Sequence, residues 1–226
     1  MRLEYGDGFN YQWVASALMD GIFEIPIIKR EERFVLPERL VPFSCRNRDS
    51  GQESLICFYE ADKRFSDFIL HPDQYIGDLK KFAGIISVDA SLYVDMPLCL
   101  QIADVYFNRA LGHYLQEQGM YVVPNIRWGD ERTFTTCVLP EKVAFLGVEK
   151  HSIVSIGTYG QIRRNEEKRL FRDGLEAMLD ELEPEVVLVY GPMPDKIFHG
   201  LEGRTQFVPY PDWTTLKRGG VNNGNH

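Results

Sequence analysis

Several signatures that would name a chemistry outright are missing from this chain. None of its four cysteines (Cys45, Cys57, Cys99, Cys137) forms a C-x-x-C pair, and no Cys/His cluster has zinc spacing. Neither H-x-x-x-H nor H-E-x-x-H occurs, so His113 has no partner histidine, and His71, His151 and His199 scatter among loops. There is no G-x-S-x-G elbow, no Walker loop and no G-x-G-x-x-G. These absences leave metal ligands unassigned and single out no cofactor. No apolar run approaches the ~18 residues of a membrane span. The N-terminus shows no basic region followed by an apolar run, so no signal peptide is expected. Repeats and low-complexity blocks are also lacking. Basic residues are in deficit, 25 against 33 acidic, giving a net charge of −8. That excludes a broad basic face for nucleic acid, which needs clustered Lys and Arg, though not a local basic groove. Cys57 and Cys99 sit in apolar patterns and are expected to be buried free thiols, which fits a reducing, cytoplasmic location.

What is present is an alternation of strands and helices over 226 residues, 44% of them hydrophobic. Short β patterns cover Ile22–Ile28 and Leu40–Ser44, and Leu55–Tyr59 is a continuous apolar run, as a doubly covered strand should be. Asp73–Phe82 reads as a helix and Gly84–Asp89 as the next strand. Pro97–Gln118 is the strongest helix, with Leu100, Ala103, Phe107, Ala110, Leu111, Tyr114 and Leu115 at three- and four-residue spacing. Arg109 and His113 fall on its polar margin, and Asp95 suits its N-cap. A strand from Tyr121, another over Ser152–Gly157, a helix over Asn165–Glu183 and strands at Val186–Tyr190 and Thr205–Tyr210 complete the pattern. Strands separated by helices imply parallel pairing with right-handed crossovers. The expected architecture is a compact or incomplete (β/α) barrel-like, TIM-barrel-like parallel sheet, with an open doubly wound sheet as the alternative; a full barrel typically takes about 250 residues. Residues 1–216 are read as a single α/β domain and 217–226 as a disordered tail.

Ligands bind at the carboxyl ends of parallel strands. Here those ends read Tyr59-Glu60-Ala61-Asp62, Asp89-Ala90-Ser91-Leu92-Tyr93, Asn125-Ile126-Arg127-Trp128, Gly157-Thr158-Tyr159-Gly160 and Tyr190-Gly191-Pro192. All are polar, aromatic or glycine-rich. Asp89 follows an unbroken apolar run and should stand at the rim as a general base, nucleophile or metal ligand, or else as a turn cap or a partner for Arg127. Asp62 is the second candidate acid. Arg127 suits an anion, or an ion pair with Asp89 or Asp130. Trp128 could stack on a base or serve as a core lid. Asn125, after Pro124, has an amide available to a ligand or a loop. Thr158 and Tyr159 precede Arg163-Arg164 and a helix start, a weak phosphate signal. Tyr190 closes the set.

At these motifs the chain resembles a family of unknown function found in bacteria, phages and other mobile elements. The resemblance runs from about Pro42 to Tyr210 and rests on Phe58–Phe65, Asp89–Pro97, Asn108–Gly112, Val123–Trp128, Gly157–Gly160 and Tyr190-Gly191. Two positions depart from its pattern: Ala90 where Phe is usual, and Tyr159 where His is more frequent. The resemblance implies a shared site on one face and supplies no reaction. Two functions remain in view. One is an enzyme acting on a nucleotide or nucleic-acid base, with Asp89 and Asp62 catalytic, or a metal-dependent phosphohydrolase variant of it. The other is a non-catalytic phage accessory protein that binds a host protein or a small ligand. The expected partner in the first case is a nucleotide or other small molecule, with no membrane.

Overall fold

The structure is a computed structural model and describes residues 11–49 and 51–222, with side chains through Lys217. A short helix α1 (Tyr11–Val14) precedes an antiparallel pair, β1 (Met19–Asp20) and β2 (Ile25–Pro26). The strand expected over Ile22–Ile28 thus shrinks to two residues, and Ile22 lies exposed in the turn. The body is built on seven parallel strands: β3 (Arg39–Pro42), β4 (Ser54–Cys57), β5 (Gly84–Ile86), β6 (Val122–Val123), β7 (Ile153–Gly157), β8 (Val186–Tyr190) and β9 (Gln206–Tyr210). They form a four-stranded sheet in the order β3-β4-β5-β6 and a three-stranded sheet in the order β7-β8-β9.

Pro124 lies at the seam between the two sheets. Its ring nitrogen faces β7 and has no N–H to donate there. Its carbonyl instead accepts from the Ser155 N–H at 2.9 Å, and the Ile126 N–H donates to the Ser155 carbonyl at 2.8 Å. The chain leaving β6 thus gains β7 on its other side while Asn125 still reaches Ser87 beyond β5, and a single parallel bridge, Asn125 to Ser155, joins the two sheets.

The strands alternate in and out with period two. On β4 and its extension, Leu55, Cys57 and Tyr59 face inward and Ile56 and Phe58 outward. The inward residues of both sheets, among them Leu40, Ile86, Val123, Ile153, Leu188 and Tyr210, share one cluster, as in a barrel interior. Among the described residues no ladder joins β9 to β3, so the barrel is incomplete. Helices cover the outside: short α2 (Ser66–Leu70) and α3 (Ile76–Leu79), then α4 (Leu98–Glu117), a single turn α5 (Glu131–Phe134), α6 (Asn165–Leu182), α7 (Asp195–Phe198) and α8 (Trp213–Asn222). The helix expected over Asp73–Phe82 is a 3-10 turn over Pro72–Tyr75 running into α3.

Four further expectations are corrected. Helix α4 starts at Leu98 behind Pro97 with no side-chain cap, so Asp95 does not serve as one. Its buried face is rotated: Leu100 is exposed, whereas Gln101, Asn108, Arg109 and His113 are buried. Cys99 is exposed with Cys137, and the buried thiols are Cys45 and Cys57. Helix α8 carries the chain through Asn222, where a tail starting at Lys217 was expected. It is launched by Asp212, whose carboxylate accepts from the N–H groups of Thr214 (3.0 Å) and Thr215 (3.1 Å). Residues 223–226 of that expected tail lie outside the described residues. Among the described residues, no helix is long and apolar enough to cross a membrane.

Candidate functional site

The carboxyl ends of β4 to β7 meet at one rim, and Asp89 lies at its centre. Beyond Ile86 the chain stays in register for one more step, the Ser87 N–H donating to the Val123 carbonyl at 2.8 Å. Ser87 Oγ then accepts the Asn125 N–H at 2.8 Å, a bond that a carbonyl would make in a regular ladder. This brings Asp89 and Asn125 side by side. Asp89 Oδ1 accepts from Asn125 Nδ2 at 2.7 Å and Asp89 Oδ2 from Arg127 Nη1 at 2.7 Å. The Asn125 orientation is fixed from behind: its Oδ1 accepts from the Tyr59 hydroxyl at 2.9 Å, and the same phenol oxygen lies 2.7 Å from Ser155 Oγ. A phenol has one proton and an amide oxygen can only accept. The proton therefore goes to Asn125, and Ser155 can donate to the phenol oxygen or to the Leu188 carbonyl, 3.2 Å away. The result is a directed chain, Tyr59 to Asn125 to Asp89.

Asp89 is 4% exposed. Burial pushes its carboxyl above the ordinary value of 3.8, against the opposing pull of the Arg127 charge and the Asn125 bond; Asp62 adds to the rise. Arg127 Nε is buried without a partner. Above the pair opens a cleft of about 550 Å³, lined on its floor by Asp89, Arg127 and Tyr59 and at its mouth by Tyr93, Val94 and Tyr159.

The other predicted residues divide. Asp62 accepts from Ser91 Oγ at 2.8 Å and so tethers the loop between β5 and α4. Among the described residues, no group of three or more His, Cys, Asp or Glu is placed to hold a metal ion. Trp128 lines the cleft, but its ring belongs to the core: it packs on Phe171 with centroids 5.0 Å apart and lies so close to α6 that a Cβ at Gly174 would fall 2.3 Å from Nε1. Thr158 is fully buried and donates to the Pro192 carbonyl at 2.7 Å, a structural tie. Tyr190 stacks beneath Tyr59 at 5.1 Å and accepts the Trp213 N–H at 2.9 Å, one layer below the cleft. Tyr159 is half exposed at the mouth. The start of α6 is not open to an anion, because the Glu167 carboxylate takes the N–H groups of Arg163 (2.7 Å) and Arg164 (2.8 Å). Asp130, the alternative partner expected for Arg127, is taken up elsewhere, and Arg127 pairs with Asp89. Asp130 caps α5, pairs with Arg132 at 2.7 Å and accepts from Gln101 at 3.0 Å.

The family model for a domain of unknown function, DUF4417, matches residues 17–211. The chain belongs to that family. It is 28% identical over 172 residues to the Gene 1 protein of Mycobacterium phage L5, a match spanning 75% of this chain and 71% of that protein. It is 31% identical over 134 residues to the Gene 1 protein of Mycobacterium phage D29, spanning 59% of this chain and 47% of the relative. The chain thus spans about half the length of the second phage protein. No solved structure matches.

Some residues that build the site in this DUF4417 chain carry little signal in sequence. Asn108 on α4 accepts the Ala90 N–H at 2.8 Å and so fixes the backbone just after Asp89. Asp104, one turn earlier, is partly buried. Burial first, then the nearby Asp62 charge, raise it to about 6, while Arg127 opposes. Arg109 is 1% exposed and donates to three carbonyls: Leu146 (2.9 Å), Asn125 (2.8 Å) and Ala144 (3.1 Å). The available signal was the polar stripe Gln101, Asp104, Asn108 at helical spacing on α4. Tyr59 matters through a close approach: a Cβ at Gly157 would lie 2.5 Å from its ring.

Proposed function

We propose that this DUF4417 chain is an enzyme acting on a nucleotide or a nucleic-acid base at the C-terminal rim of its strands. Asp89 is the proton acceptor or nucleophile and Arg127 the anion contact. The observation that carries this reading is the Asp89–Arg127 pair on the floor of an open cleft, with one guanidinium N–H left unpartnered. The guanidinium keeps N–H donors beyond the one given to Asp89 and its side chain is not wholly enclosed, which supports an anionic edge meeting it from the cleft. A carboxyl raised by burial is better suited to exchange protons near neutral pH than an exposed aspartate. In this reading the ligand's anionic edge meets Arg127 and its reacting centre lies over Asp89.

One observation favours the second reading, a non-catalytic phage accessory protein that binds a host protein or a small ligand. Both Asp89 oxygens already accept from protein donors, as in a structural network. A thermal-shift screen of nucleotides, free bases and divalent ions on wild type and Asp89→Ala decides between them. A ligand at 100 times its Kd adds about 2.7 kcal/mol, which for a chain of this size raises Tm by about 5–11 °C. The enzyme reading expects such a shift in wild type, its loss in Asp89→Ala, and turnover of the binding compound by wild type only. A shift without turnover favours the accessory role, and no shift removes the small-ligand site.

A further inference from the structure

Resting on the reading above, we infer that the cleft takes one nucleotide-sized unit, a planar ring carrying a single anionic group, and not a nucleic-acid strand. Three observations lead there. The first is size: about 550 Å³ lies within the range of small-molecule sites, about 300–1,000 Å³. The second is the mouth. Tyr93 (60% exposed) and Tyr159 (49% exposed) both line it, with Val94 beside Tyr93. Tyr159 meets Tyr190 edge-on at 6.3 Å, and the exposed parts of the Tyr93 and Tyr159 rings at the cleft entrance offer surfaces on which a flat ring can stack.

The third is charge. Among the described residues, two cations line the cleft, Arg127 on the floor and Arg163 at the rim. Arg127 spends one N–H on Asp89 and keeps Nε unpartnered. Arg163 is exposed, and its charge helps to lower the Glu167 carboxyl, whose oxygens are already held by two backbone N–H groups. Three carboxylates share the same lining: Glu60, Asp89 and Glu167. A strand of nucleic acid places a charge at every nucleotide and needs a track of Lys and Arg to follow it. A rim with more acids than bases repels the flanking phosphates while two guanidiniums still suffice for one anionic group. The ring sits between the tyrosines and the anion reaches the guanidiniums.

Isothermal titration of the full chain with nucleosides, nucleoside 5′-monophosphates and short single-stranded oligonucleotides of the same bases tests this. The expected result is that a monophosphate binds more tightly than its nucleoside, and that the oligonucleotides neither bind nor displace it. Arg163→Ala should weaken the monophosphate about tenfold and leave the nucleoside unchanged, since a charge-assisted bond is lost from only one of them. Tyr159→Ala should weaken both about tenfold. Oligonucleotides that bind as tightly as the monophosphate overturn the single-unit inference while leaving a nucleotide site in place. Binding by none of the three classes overturns the nucleotide reading itself. Arg163 and Tyr159 are surface residues, so circular dichroism and unchanged Tm verify that neither variant acts through misfolding.

Discussion

Replacing Arg127 by Met removes the cation and keeps most of the side-chain volume, which makes it the sharpest probe of the rim. The side chain is 12% exposed and its Nη1 lies 2.7 Å from a carboxylate that is itself 5% exposed. Breaking a buried pair by removing one member costs about 3–5 kcal/mol, because the remaining charge has lost its compensation. For a chain of this size that corresponds to a fall in Tm of about 6–20 °C at pH 7. The sign of the pH dependence follows from Asp89. Its carboxyl is already raised above the unfolded value of 3.8, and the loss of Arg127, which holds it down, raises it further. A group raised on folding contributes its full stability below the unfolded value and loses it as pH climbs through the folded value. Arg127→Met should therefore recover toward wild type as pH falls toward the unfolded value of 3.8, because Asp89 takes up its proton in the folded state above that value. Adding Asp89→Asn should recover much of the loss at pH 7, since the new amide oxygen still accepts from Asn125 Nδ2 and no charge is buried. Urea unfolding of wild type, both single variants and the double variant at several pH values measures the cycle. An Arg127→Met protein as stable as wild type at pH 7, with no pH-dependent recovery, would refute the claim that this pair is buried and coupled.

Other perturbations test the surroundings. Gly157→Ala should cost about 1–3 kcal/mol by overpacking, because its Cβ falls 2.5 Å from the Tyr59 ring, and the loss in chemical denaturation should be largely relieved in a Tyr59→Ala background. Arg109→Met leaves three carbonyls without their donor, and at about 1–3 kcal/mol for each buried group the protein should lose at least 3 kcal/mol, seen as a large drop in yield and Tm. Asp104 is raised to about 6 mainly by burial, so its charged form opposes folding above that pH. Asp104→Asn should raise Tm at pH 7 relative to wild type, with the gap closing as pH falls toward 4.

The strands were legible because covered strands announce themselves as apolar runs: Val186–Tyr190 matches β8 residue for residue, and Ser152–Gly157 and Thr205–Tyr210 each overrun theirs by one. The proximity of Asp89 and Arg127 was legible too, because both follow strands that end on the same rim. What the pattern could not reveal was the inner face of α4. Periodicity assigns apolar residues to the interior, and at a rim the interior is polar: Gln101, Asn108 and Arg109 are buried because loop carbonyls and amides there need partners. Trp128 and Thr158 misled in the opposite direction. Their types suit ligand contact, yet one is absorbed by Phe171 and Gly174 and the other by the Pro192 carbonyl, contacts between segments more than thirty residues apart. Side-chain type fixes what a residue can do, and only the assembled rim decides whether protein or ligand receives it.

Asp89 shows why the structural and the functional readings are compatible. A carboxylate offers about four acceptor positions, and the protein occupies two of them, one from Asn125 and one from Arg127. Arg127 offers five donors, of which one is given to Asp89 while Nε has no partner. A pair built only for stability would be enclosed and fully satisfied, since each unmet buried group carries a cost. A site open to any ligand would leave Asp89 free to reorient, and the Tyr59–Asn125 relay prevents that. The rim has the intermediate arrangement: orientation is held from behind by protein donors, and the unspent hydrogen-bonding capacity lies beside a cleft. Tyr59→Phe isolates the holding function. Without the phenol proton the Asn125 amide loses the donor that fixes it from behind, so its bond to Asp89 is less well held, the charged carboxylate is less stabilised and the carboxyl rises further. The expected outcome is a carboxyl resonance of Asp89 whose titration moves to higher pH in Tyr59→Phe, with the strands unchanged. A titration identical to wild type would mean that Arg127 alone holds Asp89 and that the relay behind it does nothing.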